Sequence, residues 1–318
     1  MLKLRDLRAY YDTPKGTVKA VDGVTFDIRE NEILGIAGES GCGKSTLLKV
    51  LYDYVQPPLR IVSGEYQAEM STNGNQPKIL GPGEVRKHWW DYISYIPQGS
   101  MSVLNPVVRI EKQFFDAVGK NQDIQNKNVI RERVAGYLKE LELPVEVLKS
   151  YPHQLSGGMK QRVLVALGTF LHPQIVLADE PTTALDVVVQ KGILMMLTEV
   201  QARMKNTLVM VSHDMGVHYQ ITNRMAIMYA GKLVELGPTE AIFNKPLHPY
   251  TQLLIEALPK VGDRRQREGI SGRPPSLLNP PDGCRFAARC PQVMDVCRTK
   301  EPQLVEIEPD HYVACHLY

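Results

Sequence analysis

No run of about eighteen consecutive apolar residues occurs in this chain, so no segment is long enough to cross a bilayer as a helix. The longest apolar stretch, residues 163–171, is interrupted by Gly168 and Thr169 and stops at His172-Pro173. A signal peptide's apolar centre is missing too, since Met1-Leu2-Lys3-Leu4-Arg5-Asp6 alternates like a strand. Net charge is only +2, which leaves no broad electrostatic case for nucleic acid or an anionic membrane as partner. No sustained heptad region is present, so a long coiled coil is excluded. These absences point to the cytosol, with any membrane role exercised through a partner.

What is there is a chain of 318 residues, enough for one large domain or two smaller ones with a core. It is organised around residues 38–46, Gly-Glu-Ser-Gly-Cys-Gly-Lys-Ser-Thr, which fit G-x-x-x-x-G-K-[ST] at Gly38, Gly43, Lys44 and Ser45. The apolar run Ile33-Leu34-Gly35-Ile36-Ala37 precedes it as a buried parallel strand would, and Leu47, Leu48, Val50 and Leu51 follow at helical spacing. Gly38, Gly41 and Gly43, with Ser40 between them, let backbone N–H groups close around a phosphate chain, and the helix start adds partial positive charge. Lys44 can reach the β- and γ-phosphates, and Ser45, followed by Thr46, can ligate Mg²⁺. This is a nucleoside-triphosphate site. No Asn-Lys-x-Asp guanine tetrapeptide is present, which favours adenine.

Upstream, Leu2-Leu4, Val18-Val21 and Val24-Ile28 read as strands, with Tyr10 and Tyr11 in the first connection. One of these tyrosines can stack on a nucleobase or cover a sheet edge. Residues 60–97 are glycine-punctuated and read as irregular until Tyr92-Ile93-Ser94-Tyr95-Ile96, a buried strand with Pro97-Gln98 at its carboxyl end. Ligands of open α/β sheets bind at such ends, where Gln98 can orient a water or meet Mg²⁺. Residues 105–155 are predominantly helical, with Ile130, Val134, Leu138 and Leu141 forming an apolar stripe.

Next comes Leu155-Ser156-Gly157-Gly158-Met159-Lys160-Gln161-Arg162, with Ser156 as the N-cap of a helix running to Leu171 and exposed backbone N–H groups at its start. Ile175-Val176-Leu177-Ala178-Asp179-Glu180 is an apolar strand ending in two carboxylates. Asp179 can hold Mg²⁺, and Glu180 can accept a proton from the attacking water. A helix follows over residues 190–204 and a strand over residues 208–211. His213 then occupies the same kind of strand end as Gln98 and Asp179, facing a γ-phosphate. A hairpin spans residues 226–235. Beyond it the chain becomes proline-dense, with a long charged connection over about residues 260–270 and four cysteines, an extension tied down by something other than a large apolar core.

In order and spacing, the phosphate loop, Gln98, residues 155–162, Asp179/Glu180, Ala184-Leu185-Asp186 and His213 resemble the ATP-binding cassette ATPases over roughly residues 1–240. Tyr151-Pro152-His153-Gln154, His248-Pro249-Tyr250-Thr251 and the four-cysteine tail narrow this to the oligopeptide/dipeptide importer ATPases, whose close relatives also serve oligosaccharides and nickel. The pattern departs at Asn31, where a glycine is usual, and at Gly168-Thr169, which replace small apolar residues.

The resemblance implies an α/β fold: a P-loop NTPase (RecA-like) parallel-sheet core with an antiparallel β subdomain. A helical subdomain is inserted at about 99–160, and a cysteine-containing extension covers 241–318 beyond the nucleotide-binding domain at 1–240. It implies head-to-tail pairing with a second cassette, usually a different chain. Each ATP then lies between one chain's phosphate loop and the partner's Ser156-Gly157-Gly158 segment. Two membrane permease subunits and an extracellular or periplasmic solute-binding protein complete the importer, placing this chain peripherally at the cytoplasmic face. Tyr11 becomes the base-stacking candidate, and Asp186 lies at the dimer seam.

In Cys284-x₅-Cys290-x₆-Cys297-x₁₇-Cys315 the spacing is looser than in most zinc sites, and similar importer tails carry a [4Fe–4S] cluster; that cluster is favoured over Zn²⁺, and disulfides come last. Cys42, at a variable loop position, is incidental. The alternative function is a soluble ABC ATPase acting on nucleic acid.

Overall fold

Leucines and alanines at Leu2, Leu4, Leu7 and Ala9 are all fully buried, one apolar face of a long strand, β1 (Leu2–Thr13). The computed structural model describes residues 1–72, 75–99, 103–119, 126–258 and 269–318. It divides into two compact units, one made of Met1–Arg86 with Val211–Tyr318 and the other of Lys87–Met210.

In the first unit β1 is flanked by β2 (Gly16–Ile28) and β4 (Leu59–Thr72), with β5 (Asn75–Leu80) outermost, all antiparallel. Two expectations change here. Tyr10 and Tyr11 are not in a connection, because β1 runs on to Thr13 with Tyr11 opposite both Val18 and Leu59. Residues 59–72 and 75–80 are not irregular but two strands. Gly64, which reads as a breaker, sits where the β1–β4 register shifts. Its φ is +84°, and a Cβ there would meet the Asp6 carbonyl oxygen at 2.2 Å. A glycine at a bulge keeps the ladder going rather than ending it.

The same unit holds β3 (Ile33–Ala37), paired parallel to β9 (Arg224–Tyr229). Beyond β9 come β10 (Lys232–Pro238), β12 (His311–Ala314) and β11 (Leu304–Glu308), each antiparallel to its neighbour. The asparagine before β3 is explained by its backbone: Asn31 has φ +58°, a left-handed position that asparagine tolerates nearly as glycine does.

The C-terminal extension thus adds two strands to the sheet. It also carries an apolar cluster in which Tyr250 and Phe286 pack on Tyr229, Ile227 and Ile242, with Leu253, Leu254, Ile270 and Leu277 against them. An apolar core, contrary to the sequence expectation, helps hold the tail. A buried carboxylate does the rest. Glu235, fully buried on β10, accepts hydrogen bonds from the Leu247 and His248 N–H groups at 2.8 and 2.9 Å and lies 2.8 Å from His311 Nε2. The charged connection of residues 260–270 falls mostly outside the described residues.

In the second unit β8 (Thr207–Val211), β7 (Ile175–Asp179) and β6 (Ile93–Ile96) neighbour one another in that order, with β6 parallel to β7. Helices at Ile110–Val118 and Lys127–Glu140 bury Ile130, Val134, Leu138 and Leu141 as the stripe predicts. The helix after Ser156 runs over Gly157–Thr169. Gly168 lies so close to β6 that a Cβ would meet Ile96 Cγ1 at 2.9 Å, and the Thr169 hydroxyl bonds Tyr137 and the Val165 carbonyl. That departure from the family pattern therefore serves packing.

His218 and His248 are buried, and burial pushes both imidazoles down from 6.5 to about 4. Between those values the folded chain binds fewer protons than the unfolded one. Their contribution is therefore intact above pH 6.5 and is lost as pH falls toward 4, by about 1.4 kcal/mol per pH unit for each imidazole. Urea unfolding from pH 7.5 to 5 is expected to show this decline, with His248→Asn flattening it by one imidazole's share; an unchanged slope would refute the assignment.

Candidate functional site

Each unit carries part of the predicted set. In the first, β3 is buried at every residue and delivers the chain to Gly38. Gly38 (φ +146°) and Gly43 (φ +109°) lie flat against neighbouring backbone. A Cβ on the former would meet the Met228 carbonyl oxygen at 2.1 Å, and on the latter the Ala20 carbonyl oxygen at 2.0 Å. Gly41 (φ +78°) has nothing within 4 Å of its would-be Cβ, so it is required by conformation alone. The helix Lys44–Leu51 starts directly from Gly43, with no side-chain cap and no acidic residue in its first turn. Its first N–H groups and the positive end of its dipole therefore face an anion without competition from a carboxylate.

Lys44 is buried, and its Nζ donates to the Gly38 and Glu39 carbonyls at 2.7 and 3.0 Å. These neutral acceptors hold the ammonium inside the loop and are replaceable by phosphate oxygens. Ser40 and Gly41 are exposed at the loop tip, and Ser45 is half-buried. Thr46 is buried, 3.3 Å from the Tyr11 hydroxyl, which places Tyr11 beside the helix start. Cys42 is buried, with burial pushing its thiol up, and its carbonyl accepts from the Gly231 N–H. His213 is exposed in an ordered turn: the Ser212 hydroxyl accepts from the Asp214 N–H, and Asp214 caps the helix Met215–Ile221.

In the second unit β6 and β7 run parallel, so Gln98 and the acidic pair leave the same edge. Gln98 Nε2 donates to Glu180 Oε2 at 2.8 Å, and the Thr183 hydroxyl donates to the same oxygen at 2.7 Å. Asp179 is buried and accepts from the Tyr95 hydroxyl at 2.8 Å. Glu180 has φ +46°, a strained backbone for a side-chain-bearing residue and a frequent mark of functional positions. Ser156 caps its helix by accepting from the Met159 N–H at 3.3 Å. Gly158 sits so close to the helix Val187–Met204 that a Cβ would meet Val189 at 2.7 Å. Asp186 caps that second helix.

Two partners of the acidic pair, Tyr95 and Thr183, escaped the sequence reading. Tyr95 had a signal, a hydroxyl within the apolar run of β6. Thr183 had little, being one of several polar residues in a short connection.

The four tail cysteines are free thiols. Cys284 lies within electrostatic reach of Cys290, Cys297 and Cys315, and burial, with these neighbours adding, pushes it up to about 11. Among the described residues, however, no group of three or more His, Cys, Asp or Glu side chains is arranged to hold a metal ion. In this structure the tail is held by Glu235 and the Phe286 cluster. Among the described residues no helix is long and apolar enough to cross a membrane.

The family described as "ABC transporter" matches residues 21–183, and "Oligopeptide/dipeptide transporter, C-terminal region" matches residues 234–297. The whole chain is 40% identical to the dipeptide transport ATP-binding protein DppD of Caldanaerobacter subterraneus subsp. tengcongensis, covering 97% of it. The chain belongs to the ABC transporter family. It is also 36% identical to the oligopeptide transport ATP-binding protein OppD of Escherichia coli K12, over 99% of this chain and 92% of that one. A solved ATP-binding cassette, a dimer in a post-hydrolysis state with ADP and Pi, superposes with TM-score 0.63 at 27% identity, over 75% of this chain and 99% of the cassette. This ABC-family chain is an ATPase with the P-loop NTPase fold.

The glycines make a sharp contrast testable. Gly43→Ala is expected to abolish nucleotide binding and lower stability by several kcal/mol, since backbone must move. Gly41→Ala carries only left-handed strain, on the order of 1–2 kcal/mol. Equal losses in nucleotide titration and thermal unfolding would contradict the close-approach account.

Proposed function

We propose that this chain is the ATP-hydrolysing subunit of an importer of peptides, acting peripherally at the cytoplasmic face of the membrane. The observation that carries the reading is the loop of residues 38–46: a cradle with no room for a side chain at Gly38 or Gly43, a buried lysine, and an uncapped helix start. Dipeptides and oligopeptides are favoured over oligosaccharides or nickel as cargo by the relatives' names and by the match of residues 234–297.

In this reading Gly38, Ser40, Gly41, Gly43 and Thr46 bind the phosphate chain through backbone and hydroxyl groups, and Tyr11 stacks on the base. Lys44 offsets the β/γ charge. Ser45, Gln98 and Asp179 would hold Mg²⁺, which when bound supplies Lewis-acid stabilisation of the leaving phosphate. Glu180 accepts a proton from water, with Gln98 orienting that water and His213 contacting the γ-phosphate. The hydrogen bonds from Gln98 and Thr183 support the role of Glu180, because they fix its carboxylate as an acceptor.

Ser156, Gly157 and Gly158 act in trans on a second cassette, usually a different chain. Val187 and Val188, about four-fifths exposed beside the Asp186 cap, support a dimer seam there. Two permease subunits and a solute-binding protein complete the assembly, and exposed Val103 and Val107 offer apolar contact for the former. Residues 1–240 form the nucleotide-binding domain, with its helical part at about 99–160, and residues 241–318 the extension. For the tail the finer reading is a [4Fe–4S] cluster, with Zn²⁺ as alternative. It rests on the gathering of four cysteines, and no step of hydrolysis is assigned to it. Iron, sulfide and zinc analysis after anaerobic purification tests it, and absence of both metals removes it.

Glu180→Gln is expected to keep ATP binding and slow hydrolysis by about 10² to 10⁴, accumulating a closed dimer. Lys44→Ala is expected to lose nucleotide affinity itself. Normal turnover by Glu180→Gln would refute its role as base. Co-purification with two polytopic subunits supports import, whereas DNA-stimulated hydrolysis would favour the soluble nucleic-acid ATPase.

A further inference from the structure

Glu39, the first variable residue of the phosphate loop, is held at every polar atom. Its N–H donates to the Tyr250 hydroxyl at 2.8 Å, and its carbonyl accepts from Lys44 Nζ at 3.0 Å. Its two carboxylate oxygens take a fork from Arg289, Nη1 at 2.7 Å and Nη2 at 2.9 Å. Arg289 in turn has all five N–H donors engaged. Besides Glu39, Nη1 donates to the Tyr229 hydroxyl, Nη2 to the Ile270 carbonyl and Nε to the Ser271 carbonyl. Its side chain is 5% exposed, and the guanidinium lies over the rings of Tyr229 and Phe286. Such a guanidinium is locked in one orientation and fixes what it grips.

Arg289 lies 250 residues from Glu39 in sequence, on the extension, within Cys284-Arg285-Phe286-Ala287-Ala288-Arg289-Cys290. Arg285, from the same segment, bonds the Ala230 carbonyl and Asp22, whose carboxylate also accepts from Tyr10, the neighbour of Tyr11. One short segment of the extension thus braces the first unit's nucleotide elements from behind at two points.

We propose that Arg289 is a positioning residue for ATP binding: through Glu39 it fixes the loop carbonyl that holds Lys44, so that the C-terminal extension sets nucleotide affinity. The proposal rests on the reading of residues 38–46 as the nucleotide site. Since Arg289 does not touch the reacting atoms, its loss moves affinity and leaves turnover at saturation alone.

The test uses the full chain, with a fluorescent ATP analogue for Kd, steady-state hydrolysis for KM and kcat, and Lys44→Ala as control. Glu39→Gln and Arg289→Gln are each expected to weaken binding roughly five- to fiftyfold and raise KM in step, with kcat within about twofold. The double variant is expected to bind no worse than the weaker single one, and Arg289→Lys to recover part of the affinity. Should Arg289→Gln fail to fold, Glu39→Gln on the exposed side of the pair together with Arg289→Lys decides the matter. Unchanged Kd across the set while Lys44→Ala loses nucleotide overturns the proposal, as do fully additive losses. Retained binding by Lys44→Ala overturns the nucleotide-site reading and this proposal with it.

Discussion

The closeness of the phosphate loop to its neighbours' backbone is the constraint on which the rest of the first unit depends. With the Met228 and Ala20 carbonyls about 2 Å from where a Cβ would stand on Gly38 and Gly43, the loop's path is dictated from outside as well as by its own torsions. Met228 lies on β9 and Ala20 on β2, so the loop is wedged between the parallel sheet and the antiparallel one. The wedge fixes the path of the loop into the helix behind it and gives Lys44 two carbonyls to rest on. Pre-orientation of this kind costs nothing at the moment of binding, because the ordering is done by folding.

The extension belongs to that same arrangement. A proline-dense segment with little regular structure of its own would order only at a large entropic cost. Two devices offset it. Glu235, buried on β10, gathers the chain at Leu247, His248 and His311 through three hydrogen bonds, and Phe286 inserts among Tyr229, Tyr250 and His248. A buried carboxylate with its acceptors used specifies one docking register more sharply than apolar contact alone. With that register set, Arg289 and Tyr250 arrive at Glu39 and nowhere else.

Much of this was legible in the sequence. The phosphate loop, the apolar run ending in Asp179 and Glu180, and the Ser156 cap each join a local pattern to a local chemistry, and they appear where they were expected. Gly64 misled because a glycine at a strand bulge and a glycine ending a strand look alike until the register is known. Tyr10 and Tyr11 were misplaced because β1 runs on to Thr13, paired with β2 up to the turn and flanked on its other edge by β4, some fifty residues away. The cysteines drew attention to metal chemistry and away from the two arginines beside them. An arginine's role is set by the distant carboxylate it meets, and no local spacing encodes that meeting.

At Glu180 backbone conformation and hydrogen bonding act on the same side chain. A left-handed residue at the end of a fully buried strand stores strain that would relax unless its surroundings over-determine it. Two hydrogen bonds converge on one oxygen of its carboxylate, from Gln98 on the loop after β6 and from Thr183 in its own connection. The carboxylate's direction is thereby fixed jointly by a neighbouring strand and by the turn leading to Asp186 and the helix beyond. A shift of either element therefore acts on the carboxylate's direction. If Glu180 takes the proton of the attacking water, as proposed above, contacts at Gln98 or at the exposed start of the Val187–Met204 helix have a physical route to the rate of that transfer.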